Sequence, residues 1–266
     1  MLEHVLNLGN QLKTDLDTSE GFSSVDYEKI VIVGMGGSGV AGDVLKLILN
    51  QYTNIDVEVR KTYNLTKTQI AARPFCLFIS YSGNTEETIS AAKNAIDENL
   101  EWAAISSGGE LLDLATKHNK KFVKVPDGLQ PRAAFGLMTK AVVNYLPNPI
   151  KEIFINACEE AGSYLNNLTE DASNEVFEIS KDIANQIGSK TAVIYAGSDL
   201  TYLVAQRWKT QINENSKSKA YVGFMPEVHH NEILSWEADQ EGSKNNFILI
   251  KNCEIILRMT TIALII

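Results

Sequence analysis

Cysteine is scarce in this 266-residue chain: Cys76, Cys158 and Cys253 stand far apart, odd in number and in no metal-ligand spacing. Such a set excludes a disulfide framework and a cysteine-built zinc site, and it points to a reduced, cytoplasmic compartment. Positive charge is short as well, with 24 Lys and Arg against 33 Asp and Glu, a net charge of -9 and a pI near 5.0. Nucleic acid and an anionic membrane both require a basic face, so neither is expected as a partner. A small anionic substrate stays open, because a few local donors can hold one. Long apolar runs are missing too; the longest stretch, Thr261 to Ile266, falls far short of a bilayer span. The opening residues, MLEHVLNLGNQLKTDL, carry acids early and lack the order of a signal peptide. What is present is ordinary for a globular chain, 44% hydrophobic and 21% charged, enough for one large α/β domain or two modest ones.

The apolar pattern organises these residues into two similar halves. Leu2, Val5, Leu6, Leu8, Leu12 and Leu16 recur at helical spacing and predict a packing helix at the start of the chain. A polar stretch, Asp17 to Asp26, leads to the apolar run Ile30–Val33, which ends in Gly34: a buried strand entering a glycine-rich turn. A helix is expected over Val40–Leu49. Strands are expected at Ile55–Val59, Phe75–Ser80, Ala103–Ser106 and Phe122–Val125, with helices at Thr85–Ile96 and Leu111–Lys117. Strands apolar on both faces and alternating with helices indicate a parallel, doubly wound sheet. Pro147, Asn148 and Pro149 interrupt the pattern. Beyond them come helices over Ile150–Asn167 and Asn174–Ile187, then a strand at Thr191–Tyr195 that ends in Ala196-Gly197-Ser198. A helix over Asp199–Gln211 and strands at Ala220–Val222 and Phe247–Ile250 follow. Strand, Gly/Ser turn, helix and strand thus occur in both halves, and the expected division is one α/β domain over 1–148 and another over 149–266.

Two turns carry the chemistry. Gly34-Met35-Gly36-Gly37-Ser38-Gly39 joins a strand to a helix and fits the GxGxxG spacing of dinucleotide sites. A dinucleotide turn wants an acid at the end of the next strand to hold the ribose, whereas that strand ends in Arg60-Lys61 with Asp56 and Glu58 inside it. Ser38 also puts a hydroxyl where a pyrophosphate needs bare backbone. Ser80-Tyr81-Ser82-Gly83-Asn84-Thr85 closes a later strand and opens a helix, where free N–H groups and the helix dipole favour an anion. Each hydroxyl alone reads as an ordinary helix cap, with Glu86 and Glu87 completing first-turn chemistry. Together they stand on two carboxyl-end loops of one sheet, where ligands of open parallel sheets bind. A monoester phosphate, with oxygens spread in three directions, suits them better than a pyrophosphate.

GMGGSG followed by SYSGNTEET resembles the sugar isomerase (SIS) domain, whose serine and threonine loops hold a sugar phosphate. Leu129-Gln130-Pro131-Arg132-Ala133-Ala134-Phe135-Gly136, the stretch RWKTQINENSK over Arg207–Lys217, and Pro226-Glu227-Val228-His229-His230-Asn231-Glu232 narrow the likeness. The combination, running from about Val31 to Ile250, is similar to the bifunctional phosphoglucose/phosphomannose isomerases of archaea and some bacteria. The resemblance implies two SIS-type, doubly wound parallel-sheet domains of three αβα layers. It implies an aldose–ketose isomerase that interconverts glucose 6-phosphate and mannose 6-phosphate with fructose 6-phosphate through a cis-enediolate. Substrate phosphate would fall on Gly36, Gly37, Ser38, Ser80, Ser82 and Thr85. Glu214 would be the isomerase base, His230 the ring-opening histidine, and Arg132 would face the reacting carbonyl carbons. No metal or organic cofactor is implied, and members are homodimers in which the histidine reaches the active site of the partner subunit.

These residue types suit that chemistry. A carboxylate can take the C2 proton and return it to C1, a fixed guanidinium stabilises the enediolate charge, and an imidazole near its ordinary pKa can open the ring. Without the resemblance, Glu214 reads as a solvated helix-end residue, Arg132 as a surface ion-pair partner and His230 as a turn residue. His229 competes with His230, since relatives often carry Asn there; the Asn231-Glu232 that follows favours His230. Cys253 to Arg258 still resembles a family strand while Met259 to Ile266 does not, so the second domain is expected to be incomplete at its end. Relatives contribute a lysine and a threonine from that region to the active site. The alternative from another class is a sugar-phosphate-binding SIS protein without catalysis. Regulators of that kind add a DNA-binding segment, no basic stretch here supports one, and Glu214, Arg132 and His230 together favour the enzyme.

Overall fold

The structure, a computed structural model, describes residues 2–19, 27–170, 175–237 and 245–250. The chain divides into two compact units, residues 1–166 and 167–266.

In the first unit, β1 (Asp17–Thr18), β2 (Lys29–Gly34), β3 (Asp56–Arg60), β4 (Phe75–Ile79), β5 (Trp102–Ser106) and β6 (Lys121–Lys124) form one sheet in the order β1-β6-β5-β4-β2-β3. All neighbours run parallel except the short β1, which lies antiparallel to β6. Ile30–Val33 and all of β4 and β5 are buried, so the central strands must be covered on both faces. The helices that cover the sheet and flank it are α1 (Leu2–Leu6), α2 (Leu8–Leu12), α3 (Gly36–Tyr52), α4 (Lys67–Ala71), α5 (Glu86–Asp97), α6 (Gly109–Lys117), α7 (Phe135–Val143) and α8 (Ile150–Thr169). The step from β2 through α3 to β3 moves toward one edge of the sheet, while β4, β5 and β6 advance toward the other. The loops leaving the paired strands β2 and β4 therefore diverge, which opens a crevice at the carboxyl ends of those strands.

Three sequence expectations shift here. The N-terminal periodicity forms two short helices rather than one, with the break at Asn7. Leu8, Gly9, Gln11 and Leu12 of α2 are buried while no residue of α1 is, so the second piece turns to seat itself and the first does not follow. The helix expected from Val40 begins at Gly36, because the glycine turn is itself the first helical turn. The first unit also runs beyond residue 148. Along α8, Glu159 pairs with Lys140 at 2.8 Å, Ser163 accepts from Lys13 at 3.2 Å and Asn166 donates to Asn10 at 2.7 Å. Gly9 and Gly162 meet so closely that a Cβ on either would lie 2.5 or 2.6 Å from the other's carbonyl oxygen. The proline stretch is a corner within the unit.

The second unit holds α9 (Glu175–Ile187), β7 (Thr191–Ala196), α10 (Asp199–Asn215), β8 (Ala220–Phe224), α11 (Glu232–Glu237) and β9 (Asn245–Ile250). Its described strands pair in parallel in the order β8-β7-β9. Val204, Ala205 and Trp208 of α10 pack on Ile194 and Ala196 of β7 to form its core. Cys253 and the C-terminal residues 259–266, on which an altered domain end was expected, lie outside the described residues. Among the described residues no helix is long and apolar enough to cross a membrane, and no three His, Cys, Asp or Glu side chains gather as a metal site.

Candidate active site

The two hydroxyl-bearing turns leave adjacent strands, since Gly34 at the end of β2 pairs with Ile79 at the end of β4. Gly34 has no room for a side chain: a Cβ there would stand 2.9 Å from the Ile79 carbonyl oxygen. Gly36 enters α3 with φ +51°, a conformation that glycine adopts at no steric cost. Ser38 is buried, and its Oγ accepts the Tyr81 N–H at 3.0 Å, which fastens the first turn to the second. In the second turn the fully buried Ser80 Oγ accepts the Gly83 N–H at 3.1 Å and bonds Thr85 Oγ1 at 2.8 Å. Ser82 is exposed and accepts the Asn84 N–H at 3.3 Å. Thus the buried hydroxyls of Ser38 and Ser80 hold the loops in shape, while Ser82 stays exposed.

Whether these helix ends merely cap themselves is answered by their geometry. Neither Met35 at the start of α3 nor Thr85 at the start of α5 makes a side-chain cap bond. By contrast, α4 and α10 are closed by reciprocal capping boxes, Thr66 with Gln69 and Ser198 with Thr201. The first N–H groups of α3 and α5 thus have no capping side chain, the arrangement in which a helix end can accept an anion. Glu86 and Glu87 in the first turn of α5 compete with an anion there, whereas α3 has no acid in its first turn and is the stronger anion end. In the second unit, Gly197 and Ser198 both donate their N–H to Thr201 Oγ1, at 3.2 and 2.9 Å. The Gly/Ser repeat seen in the sequence is a repeat of fold, with its donors already used.

Arg132 stands beside the first turn. It lies half-buried in a short 3-10 turn, Pro131–Ala133, between β6 and α7. A Cβ on Gly37 would come within 3.0 Å of the Pro131 carbonyl oxygen and 3.8 Å of the Arg132 Cα. The absence of that side chain is what lets the arginine-bearing turn approach. Gln11, buried on α2, holds the far side of the same turn: its Nε2 donates to the Ala133 carbonyl at 2.9 Å and its Oε1 accepts the Gly136 N–H at 3.1 Å. The sequence pattern predicts only packing for this helix face; the glutamine between Leu8 and Leu12 on the apolar stripe is the one sign of a further role.

The remaining candidates belong to the second unit. Glu214 is half-buried in the last turn of α10. Along the same helix lies Arg207, only 5% exposed. Burial pulls its guanidinium down to about 10, and the charge of Glu214 works in the opposite sense. With the Gln211 amide oxygen turned to the guanidinium, Gln211 accepts from Arg207 at 2.5 and 3.1 Å. His229 and His230 close a 3-10 turn that follows β8; both are exposed, and buried Val228 anchors the turn. These candidates sit at opposite ends of the sheet. The His229–His230 turn follows the carboxyl ends, where Met225 N–H bonds the Ala196 carbonyl, while the segment after Glu214 returns to the amino ends, where Ala192 N–H bonds Lys219. A helix of 17 residues, about 25 Å at 1.5 Å per residue, separates the two ends.

Residues 25–122 match the family model of the SIS domain, and residues 178–262 match that of the bacterial phospho-glucose isomerase C-terminal SIS domain. A bifunctional phosphoglucose/phosphomannose isomerase of Caldicellulosiruptor bescii is 34% identical over 246 residues, which cover 90% of this chain and 72% of the relative. A D-glucosamine-6-phosphate 4-epimerase of Sulfolobus acidocaldarius is 34% identical over 227 residues, 84% of this chain and 68% of the relative. Among solved structures, the tagatose-6-phosphate ketose/aldose isomerase of Escherichia coli superposes with a TM-score of 0.62 at 15% identity, covering 99% of this chain and 70% of that one. At that identity the structural likeness speaks for the fold.

Proposed function

Since this chain belongs to the bifunctional phosphoglucose/phosphomannose isomerase family, we propose that it interconverts glucose 6-phosphate and mannose 6-phosphate with fructose 6-phosphate through a cis-enediolate. The observation that carries this reading is the uncapped α3 terminus at the divergence of β2 and β4, with the guanidinium-bearing turn packed directly against Gly37. A phosphate monoester is the anion such a terminus favours, and a neighbouring arginine is placed to meet oxygen charge that develops farther along the same substrate.

In this reading Gly36, Gly37 and Ser38 bind the phosphate through backbone N–H groups, with Ser82 and Thr85 from the facing turn and Ser80 shaping it. His230 passes the proton that opens the ring. Glu214 removes the C2 proton from the open aldose and returns it to C1, so the substrate's own hydrogen is moved and no oxidant is consumed. The charge then resides on the enediolate oxygens, opposite Arg132. Because the enediolate has lost its C2 configuration, rotation about C2–C3 presents either face to Glu214, and both aldoses share one ketose.

The enzyme is read as a cytoplasmic homodimer. Buried free thiols at Cys76 and Cys158 suit a reduced compartment. The separation of Glu214 from the His229–His230 turn within one second unit supports a site completed by His230 of another copy.

Incubation of the purified chain with fructose 6-phosphate, counting glucose 6-phosphate and mannose 6-phosphate separately, tests the proposal. Both products are expected, and Glu214→Gln is expected to cut their formation about 10²–10⁴-fold, the range of general acid–base catalysis. Binding of fructose 6-phosphate without turnover would favour the non-catalytic SIS reading. Epimerisation of glucosamine 6-phosphate in place of isomerisation would overturn the assignment.

A further inference from the structure

Tyr81 of the second turn has no task in the phosphate reading, yet it is 4% exposed and hydrogen-bonded at both ends. Its backbone ties the phosphate loops together: the N–H donates to Ser38 Oγ at 3.0 Å, and the carbonyl accepts the Ser107 N–H at 2.9 Å and the Ser107 hydroxyl at 2.7 Å. Its phenol turns away to a different segment. The hydroxyl donates to the Pro126 carbonyl at 2.9 Å and accepts the Leu129 N–H at 3.0 Å. These two atoms bracket Gly128, whose φ of +88° lets the chain reverse between them. From Leu129 the chain passes directly into Gln130, whose carbonyl accepts the Ala133 N–H at 2.8 Å and closes the turn that carries Arg132.

We propose that Tyr81 is a positioning residue: its phenol sets the path of the Pro126–Gln130 segment and so fixes Arg132 relative to the phosphate turn. The deduction rests on the isomerase reading for what Arg132 does, and on the hydrogen bonds alone for what holds it. The 126–136 stretch is fastened by side chains at two places, Tyr81 at the entry and Gln11 at the exit, and Gly37 gives clearance in between. Without the phenol oxygen, the Pro126 carbonyl and Leu129 N–H lose their partner, and a segment containing a glycine at positive φ gains freedom just upstream of the arginine. The bonds to Ser38 and Ser107 use the Tyr81 backbone, which a Phe retains. Removing the hydroxyl therefore loosens the arginine and spares the phosphate loops.

The test is Tyr81→Phe in the full chain, measured with fructose 6-phosphate and with inorganic phosphate as a competing ligand. The expected result is a fall in kcat of about 10- to 100-fold, the cost of a misplaced reacting group, with the inhibition constant of inorganic phosphate unchanged. In an Arg132→Ala background the same substitution should have no further effect on kcat, because the two act through one guanidinium. Hydrogen exchange at the Leu129 amide should quicken in Tyr81→Phe, which reads the bond whether or not the enzyme turns over. An unchanged kcat would overturn the proposal. So would equal loss of phosphate binding, or full additivity with Arg132→Ala, either of which marks plain packing. If the wild-type chain fails to isomerise, the isomerase reading falls by itself, and unchanged Leu129 exchange would separately remove the tether.

Discussion

At the scale of single residues, the site depends on where fixed charge and free protons stand. In the proposed site Arg132 offers a planar fork to the oxyanion, and a lysine there would keep the charge without the fork. Arg132→Lys should therefore lower kcat by about 10²-fold, the usual effect of losing one preorganised donor, while inhibition by inorganic phosphate stays as it was. Cys76 makes the opposite kind of statement. Burial pushes its thiol from 9.0 up to about 12, so at pH 8 it stays protonated and inert. Iodoacetamide labelling read by mass spectrometry should leave Cys76 unmodified in the folded protein and modify it in urea. The sign for stability follows: above pH 9.0 the unfolded thiol gives up its proton while the folded one keeps it until about 12, so this group's contribution falls across that window as pH rises.

At the scale of elements, the turns rather than the helices are exacting. Gly83 and Gly36 both have positive φ, +71° and +51°, but their surroundings differ. A Cβ on Gly83 would drive into the Gly108 carbonyl oxygen, whereas one on Gly36 would meet nothing within 4 Å. Gly36→Ala should cost about 1 kcal/mol from backbone strain alone, and Gly83→Ala about 3 kcal/mol or more because overpacking is added. Urea titration followed by circular dichroism distinguishes the two. The same comparison explains why β4 and β5 are followed by interlocked turns: Gly83, Ser106 and Gly108 share one crowded spot, with Ser106 Oγ donating to the Gly108 carbonyl at 2.7 Å.

At the scale of the whole molecule, the assignment of Glu214 and His230 to the two ends of one sheet makes a prediction about assembly. Each of the Glu214→Gln and His230→Gln variants should be inactive alone. If His230 serves the partner's site, mixing and refolding the two should restore activity. Random pairing in a two-fold dimer makes half the dimers mixed, each with one intact site, so recovery should approach about a quarter of wild type. No recovery despite exchange of subunits, shown by differently tagged copies purifying together, would mean that each chain uses its own histidine.

Much of this was legible in the sequence wherever the signal was local. The buried runs Ile30–Val33 and Phe75–Ile79 and the α/β alternation are properties of short windows, and the strands and helices expected from them form, whereas the glycine turn became the first turn of α3 and the proline stretch a corner within the first unit. The hydroxyls of the two turns were legible as a group, since residue type and spacing suffice to place donors at a helix end. What only the tertiary structure decided is which donors remain free and what approaches them. No local pattern tells that α3 is uncapped while α10 caps itself, because that depends on side-chain geometry around Met35 and Ser198. Nor does spacing tell that Pro131 rests on Gly37, or that a phenol at position 81 holds Leu129, 48 positions further along the chain. Composition and periodicity determine the elements because burial acts on neighbouring residues in common; the site required the sheet, since pairing β2 with β4 is what brings distant turns within hydrogen-bonding reach.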